Sequence, residues 1–319
     1  MLRLFFNLLF FVLPIFADEP YLTDIQQLTS PDLGFTKAGE AYFSPDGKKI
    51  LFQAVPHGEE DYQIYSMDLA TKEILWISKG FASCTCAFFR PDGEKIIFAG
   101  SHLKAKKAAP GTYAWDFTPY MNIYEANPDG SSLVPLTDGP AYHAECAYSP
   151  DGKQIVFASN LDGSMNLYIM SQGTEIHQLT HTQNCYNGGP FFSPDGKKVL
   201  FRSDRERPHY LQIYLLDLES GHLSQITDNE AVNWAPYWHP SGRAIAFTSS
   251  LKGHHSYQIF YLDLITQSLT QITDTSRFNG LPVFNYNGSK LLWTSKRGPD
   301  QTSQVFLAQF QLPENKDNP

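Results

Sequence analysis

The sequence predicts an all-β fold, a six-bladed β-propeller with four-stranded blades. Three observations predict it. A turn recurs six times: Ser44-Pro45-Asp46-Gly47, Arg90-Pro91-Asp92-Gly93, Ser149-Pro150-Asp151-Gly152, Ser193-Pro194-Asp195-Gly196, His239-Pro240-Ser241-Gly242 and Asn285-Tyr286-Asn287-Gly288. From third residue to third residue the spacings are 46, 59, 44, 46 and 46. A fixed period of this length with strand-like flanks marks propeller blades. The third observation is that the chain's two ends complement each other, as argued below.

Each repeat carries the same signals in order. A short apolar strand such as Glu40-Ala41-Tyr42-Phe43 runs into the turn. There Pro pre-sets φ and Gly takes positive φ, so the Asp side chain is expected to organise the hairpin and bind nothing. The second strand follows at once, as in Lys49-Ile50-Leu51-Phe52 and Lys198-Val199-Leu200-Phe201. A third alternates, as in Gln63-Ile64-Tyr65-Ser66-Met67-Asp68. A fourth is expected to end in a Leu/Ile-Thr step: Leu136-Thr137, Leu179-Thr180, Ile226-Thr227, Ile272-Thr273 and, weakly, Ile77-Ser78. The sixth repeat stops after its third strand, Gln304-Val305-Phe306-Leu307, while a stray step, Leu28-Thr29, precedes the first repeat. Residues 24–29 are therefore expected to supply the outer strand of the last blade and close the ring, which removes open sheet edges.

The termini read as processing and tail segments. Arg3 and the apolar run 4–16 resemble a secretory signal, with cleavage near Ala17. The run is short for a membrane span, which needs about 20 apolar residues; an uncleaved anchor is the alternative. The expected layout is a signal peptide at 1–17, the propeller at 18–312 and a polar tail at 313–319, in a periplasmic or secreted protein. A net charge of −9 without a basic run argues against nucleic acid and anionic membrane surfaces. Cys84, Cys86, Cys146 and Cys185 are an even set in an exported chain, so free and paired thiols both stay open.

The repeats resemble those of periplasmic TolB and of exported TolB-like proteins. The strings that carry the resemblance are EAYFSPDGKKILFQ at 40–53, AECAYSPDGKQIVFAS at 144–159, NGGPFFSPDGKKVLFR at 187–202 and NWAPYWHPSG at 233–242. Related blades occur in prolyl-oligopeptidase-type peptidases. The resemblance covers about residues 24–310 and implies a propeller without the α/β domain that precedes it in TolB.

Function is expected on the face that holds the starts of the first strands and the loops between strands two and three. The second repeat carries a long loop there, 101–119, with Lys104, Lys106, Lys107, Tyr113, Trp115 and Phe117. Lys104, Tyr113 and Trp115 are its candidate partner-binding residues. Counting eight residues back from each reference position gives Ala38, Cys84, His143, Asn187, Asn233 and Asn279. Counting six back gives Glu40, Cys86, Glu145, Gly189, Ala235 and Leu281. Glu40, His143, Glu145, Asn187, Asn233 and Asn279 are thus expected to converge on the channel mouth, with Trp234 beside them. The competing assignment for these polar groups is to loop backbone and channel water. Arg205-Glu206-Arg207 and His254-His255 occupy equivalent loops; the His pair is expected to be exposed and the Arg pair to be solvated charge, with contact to an acidic partner as the alternative.

Enzyme signatures are absent from the sequence: it contains no G-x-S-x-G elbow, no HExxH and no phosphate-binding loop. The expected function is non-catalytic binding of an envelope protein or peptide by a monomer, with no cofactor beyond a possible cation in the channel. Two alternatives are carried. One is a metal- or carboxylate-assisted lyase or hydrolase using Glu40, Glu145 and His143; the other is a detached propeller subunit of a peptidase.

Overall fold

The computed structural model describes residues 19–105, 117–171 and 175–313. Six four-stranded antiparallel sheets follow one another around a ring. Blade 1 is Phe35–Phe43, Lys49–Pro56, Gln63–Asp68 and Ile74–Trp76, from channel to rim. The other inner strands are Ser83–Phe89, His143–Tyr148, Asn187–Phe192, Asn233–Trp238 and Asn279–Phe284. The core lies between blades, where second-strand aromatics such as Phe52, Phe98, Phe157, Phe201, Phe247 and Trp293 are almost fully buried. The expected signal segment 1–17 and most of the expected tail lie outside the described residues. Among those described, no helix is long and apolar enough to cross a membrane.

The turn behaves as its chemistry requires. Ser44 Oγ donates to Asp46 Oδ1 (2.7 Å), Lys48 N donates to the same oxygen (3.1 Å) and Lys49 N donates to Ser44 Oγ (2.9 Å). Equivalent bonds recur at Asp151 and Asp195. Each Asp side chain is spent on its own hairpin.

The ring closes as the termini suggest. Leu22–Gln27 pairs antiparallel with Gln304–Phe310 as the outer strand of blade 6. The Leu/Ile-Thr step does not end the outer strand; it follows it and turns inward. In every blade its hydroxyl accepts from a third-strand amide: Ile64 N to Ser78 (2.9 Å), Ile123 N to Thr137 (2.9 Å), Leu167 N to Thr180 (2.9 Å), Ile213 N to Thr227 (2.9 Å), Ile259 N to Thr273 (2.8 Å) and Val305 N to Thr29 (2.9 Å). A buried amide needs such a partner. The weak copy, Ser78, does the same work, and Thr29 does it across the closure.

Candidate functional site

The site is built by a distortion shared by all six inner strands. Each slips register near the residue six before the reference turn position. That residue is left-handed in every blade: Glu40 (φ 47°), Cys86 (55°), Glu145 (56°), Gly189 (58°), Ala235 (49°) and Leu281 (57°). A bulge inverts the alternation of the strand beyond it. Residues before and after it therefore face different surroundings.

Residues four before the turn close the channel. Tyr42, Phe88, Phe191 and Tyr237 interlock, with centroids 5.2 Å apart for Tyr42–Phe88 and 4.9 Å for Phe191–Tyr237. Above this plug, on the loop-rich face, lies a vestibule of about 520 Å³, lined by all six bulge residues. Phe117, Met121, Trp234 and Pro282 contribute to its apolar wall, and Glu60, Asp61 and Tyr62 also line it.

Two of the candidate residues, Glu40 and Glu145, stand on the vestibule floor, and Trp234 stands in its wall near Phe278 (6.3 Å). The expected convergence fails for His143, Asn187, Asn233 and Asn279, which are at most 1% exposed. They sit before the bulge and point into the blades. Asn187 Nδ2 donates to Thr182 Oγ1 (2.6 Å) and Asn233 Oδ1 accepts from Ser249 Oγ (2.6 Å). Asn279 Oδ1 accepts from Ser295 Oγ (2.7 Å) and Arg297 Nη2 (2.9 Å). The His143 ring packs edge-on to Phe157 (5.9 Å), and burial lowers its pKa. Their backbone amides bridge to the preceding blade, as His143 N does to Met121 O (2.8 Å). The set Glu40, Glu145 and His143 is therefore not assembled, and among the described residues no three His, Cys, Asp or Glu side chains are spaced to hold a metal ion.

Of the long loop, Lys104 is exposed and away from the vestibule lining, whereas Tyr113 and Trp115 lie outside the described residues. Phe117 stacks on Tyr186 (6.4 Å). Arg205 is not solvated charge; it lies over Tyr214 (4.7 Å) and donates to Asn187 Oδ1 (2.7 Å). All four cysteines are free thiols, and Cys84, Cys86 and Cys146 border the vestibule.

Sequence reasoning missed Arg202 and its supports. Arg202 lies on the second strand of blade 4, facing Gly188. Its guanidinium enters the channel because Gly189 has no side chain; a Cβ there would overlap Nη1. Arg202 Nη2 contacts Glu145 Oε1 (3.2 Å) and donates to Tyr186 OH (2.8 Å), and Tyr186 donates to Glu145 Oε1 (2.6 Å). Gly189 N donates to Glu145 Oε2. The equivalent second-strand residues in three other blades hold the bulge amide of the next blade. Glu40 N donates to Thr294 Oγ1 (3.0 Å), Cys86 N to Gln53 Oε1 (3.3 Å) and Leu281 N to Thr248 Oγ1 (2.9 Å).

The electrostatics follow from burial beside fixed charge. Burial raises the Glu40 pKa, and the nearby Glu145 charge adds to the rise. Burial opposes the charge on Arg202, but Glu145 and Tyr186 hold its pKa up. Burial, with Glu40 and Glu145 nearby, pushes the Cys86 thiol well up, and burial takes Cys84 to about 12. Tyr42, Tyr142 and Tyr186 are likewise held protonated by burial. A thiol acts as a nucleophile only as thiolate, so the floor offers fixed charge and hydrogen bonds, not an activated sulfur.

Solved structures share this architecture. A TolB candidate from Agrobacterium tumefaciens matches with a TM-score of 0.61 at 22% identity, over 86% of this chain and 91% of its own. TolB from Acinetobacter baumannii matches at 0.60 and 19%, over 87% of this chain and 65% of its own. An oligogalacturonate lyase from Vibrio parahaemolyticus matches at 0.57 and 15%, over 91% and 94%. No protein-family model matches the sequence, and no curated protein does. At these identities the likeness is one of fold, and one fold hosts many functions.

Proposed function

We propose that the chain is a binding module of the cell envelope or its exterior that receives part of a protein or peptide partner in the vestibule. The observation that carries this reading is the shape and lining of the cavity. It is open on the loop-rich face, closed below by the Tyr42–Phe88–Phe191–Tyr237 plug, walled by apolar rings and floored by ordered charge. About 520 Å³ lies within the usual range of about 300–1,000 Å³ for a ligand site. A blind cavity suits a chain end or a protruding side chain better than a polymer passing through. The protonated thiols and tyrosines and the neutralised Glu145 favour holding over turnover. The TolB-like propeller fold supports an envelope setting.

The test is capture from an envelope extract on immobilised chain from residue 18, wild type against Ala235→Trp. The indole at position 235 fills the vestibule from a bulge position that already bears a side chain, and equal thermal unfolding checks the fold. Each partner kept by wild type is then purified and titrated. The expected result is binding weakened at least about tenfold, or about 1.4 kcal/mol, by Ala235→Trp. Equal affinity for both proteins moves binding off the vestibule and overturns the reading.

A further inference from the structure

We propose that Glu40 anchors a primary ammonium group of the partner, either a free amino terminus or a lysine side chain. This rests on the vestibule being the binding site. Among the described residues that line it, Glu40, Glu60, Asp61 and Glu145 face a single guanidinium, Arg202. That guanidinium is committed: Arg202 contacts Glu145, which also accepts from Tyr186 and Gly189 N. An anionic ligand would have to break this buried pair, and one freed partner would stay buried without its counter-charge. Glu40 differs. The left-handed bulge aims it into the cavity, and its Oε1 accepts from Tyr42 OH at a long 3.2 Å.

A ligand that fills the cavity strips water from the Glu40 carboxylate. Burying a charge costs much unless a counter-charge and hydrogen bonds replace the water. A cation with donor hydrogens does both. Oε1 takes the Tyr42 hydroxyl, and the Cys86 side chain also hydrogen-bonds the carboxylate. Lone pairs remain for a ligand donor, but neither partner leaves a clear edge for a two-oxygen fork. A compact ammonium suits one oxygen, whereas a guanidinium fork gains its advantage by engaging two.

The probes are three pools of random octapeptides: free amino terminus without lysine, acetylated with one lysine, and acetylated without lysine. Each is passed over immobilised wild type, Glu40→Gln and Ala235→Lys, all checked for equal thermal unfolding. Wild type should retain the first pool, the second or both, but not the third; which of the two binds identifies the source of the ammonium. Glu40→Gln should lower retention by about ten- to a hundredfold, the range for a charged hydrogen bond. Ala235→Lys keeps Glu40 but sets the protein's own ammonium on the same ring, and should give a comparable loss. Equal retention of the acetylated lysine-free pool, retention insensitive to Glu40→Gln, or no retention of any pool overturns the anchor. Those outcomes leave vestibule binding standing as long as Ala235→Trp still weakens partner affinity at least about tenfold; if that variant also has no effect, the vestibule reading falls separately.

Discussion

Gly189→Ala should be far more damaging than one methyl group suggests. Gly189 is left-handed at φ 58°, where an L-residue costs about 1–2 kcal/mol. Ala235 holds the equivalent bulge position at φ 49° with a methyl in place, so the backbone tolerates this residue type. The larger effect is steric. The new Cβ overlaps Arg202 Nη1 and forces the guanidinium back from Glu145. The two side chains are only 9% and 11% exposed, so their pair is not screened like a surface ion pair. Breaking such a pair while leaving the charges buried costs about 3–5 kcal/mol. Because Arg202 can retreat partway, the expected total is about 3–5 kcal/mol rather than the sum of both effects. Urea unfolding followed by tryptophan fluorescence measures it. The decisive comparison is a double-mutant cycle with Arg202→Met. In that background Gly189→Ala should cost only the backbone share of about 1–2 kcal/mol. The same cost in both backgrounds would refute the claim that Gly189 exists to admit Arg202.

Two further predictions concern closure and charge. Thr29→Val keeps the shape but leaves the Val305 amide buried without its partner, a loss of about 1–3 kcal/mol in urea unfolding. Thr227→Val removes the same bond from Ile213 and should cost a similar amount, but only Thr29→Val should speed proteolysis of the strand Leu22–Gln27, because only there does the bond hold a chain end. Glu40 has a raised pKa in the folded chain, chiefly from burial, so the folded state binds its proton more tightly than the unfolded state. Its contribution is therefore fully present below the ordinary glutamate range and is lost as pH rises through the raised value. The stability of wild type relative to Glu40→Gln should fall with rising pH, measured as urea midpoints between about pH 4 and 8; a gap that widens in favour of wild type would contradict the placement.

The blades were legible because their signals are local and repeated. Pro-Asp-Gly fixes a hairpin through its own dihedrals and side chain, and six copies in phase leave little choice of architecture. Even the closure could be read, because Leu28-Thr29 is a step without its strand. The site was half legible. Counting back along the strand found Glu40 and Glu145 but grouped them with His143 and the three asparagines, as unbroken alternation would. The bulge breaks that alternation, and its residue types give no warning: of Glu40, Cys86, Glu145, Gly189, Ala235 and Leu281, only Gly189 is suited by nature to a left-handed backbone. Arg202 carries a signal of its own in the sequence. It is a charge in the middle of the apolar strand Lys198–Ser203, where the other repeats place Gln53, Ala99, Ala158, Thr248 and Thr294.

That comparison among repeats locates the chemistry better than any single motif. Where the copies agree, they serve the ring: the turn carboxylates, the Thr hydroxyls and the amides that bridge blades. Where they differ, the differences depend on one another. Ala158 has no polar group to hold the bulge amide of blade 4, and Glu145 takes that role by accepting from Gly189 N. Gly189, lacking a side chain, leaves the space into which Arg202 extends, and Arg202 neutralises the Glu145 that has moved in. In blade 1 the bulge amide is held by Thr294, so Glu40 is not drawn onto a neighbouring backbone. Its carboxylate stays in the vestibule with the Tyr42 and Cys86 side chains as its partners. Three substitutions in adjacent blades thus saturate one carboxylate, while a threonine in the last blade releases the other. A ring made for symmetry needs none of this, and this asymmetry is the observation on which the proposed Glu40 anchor rests.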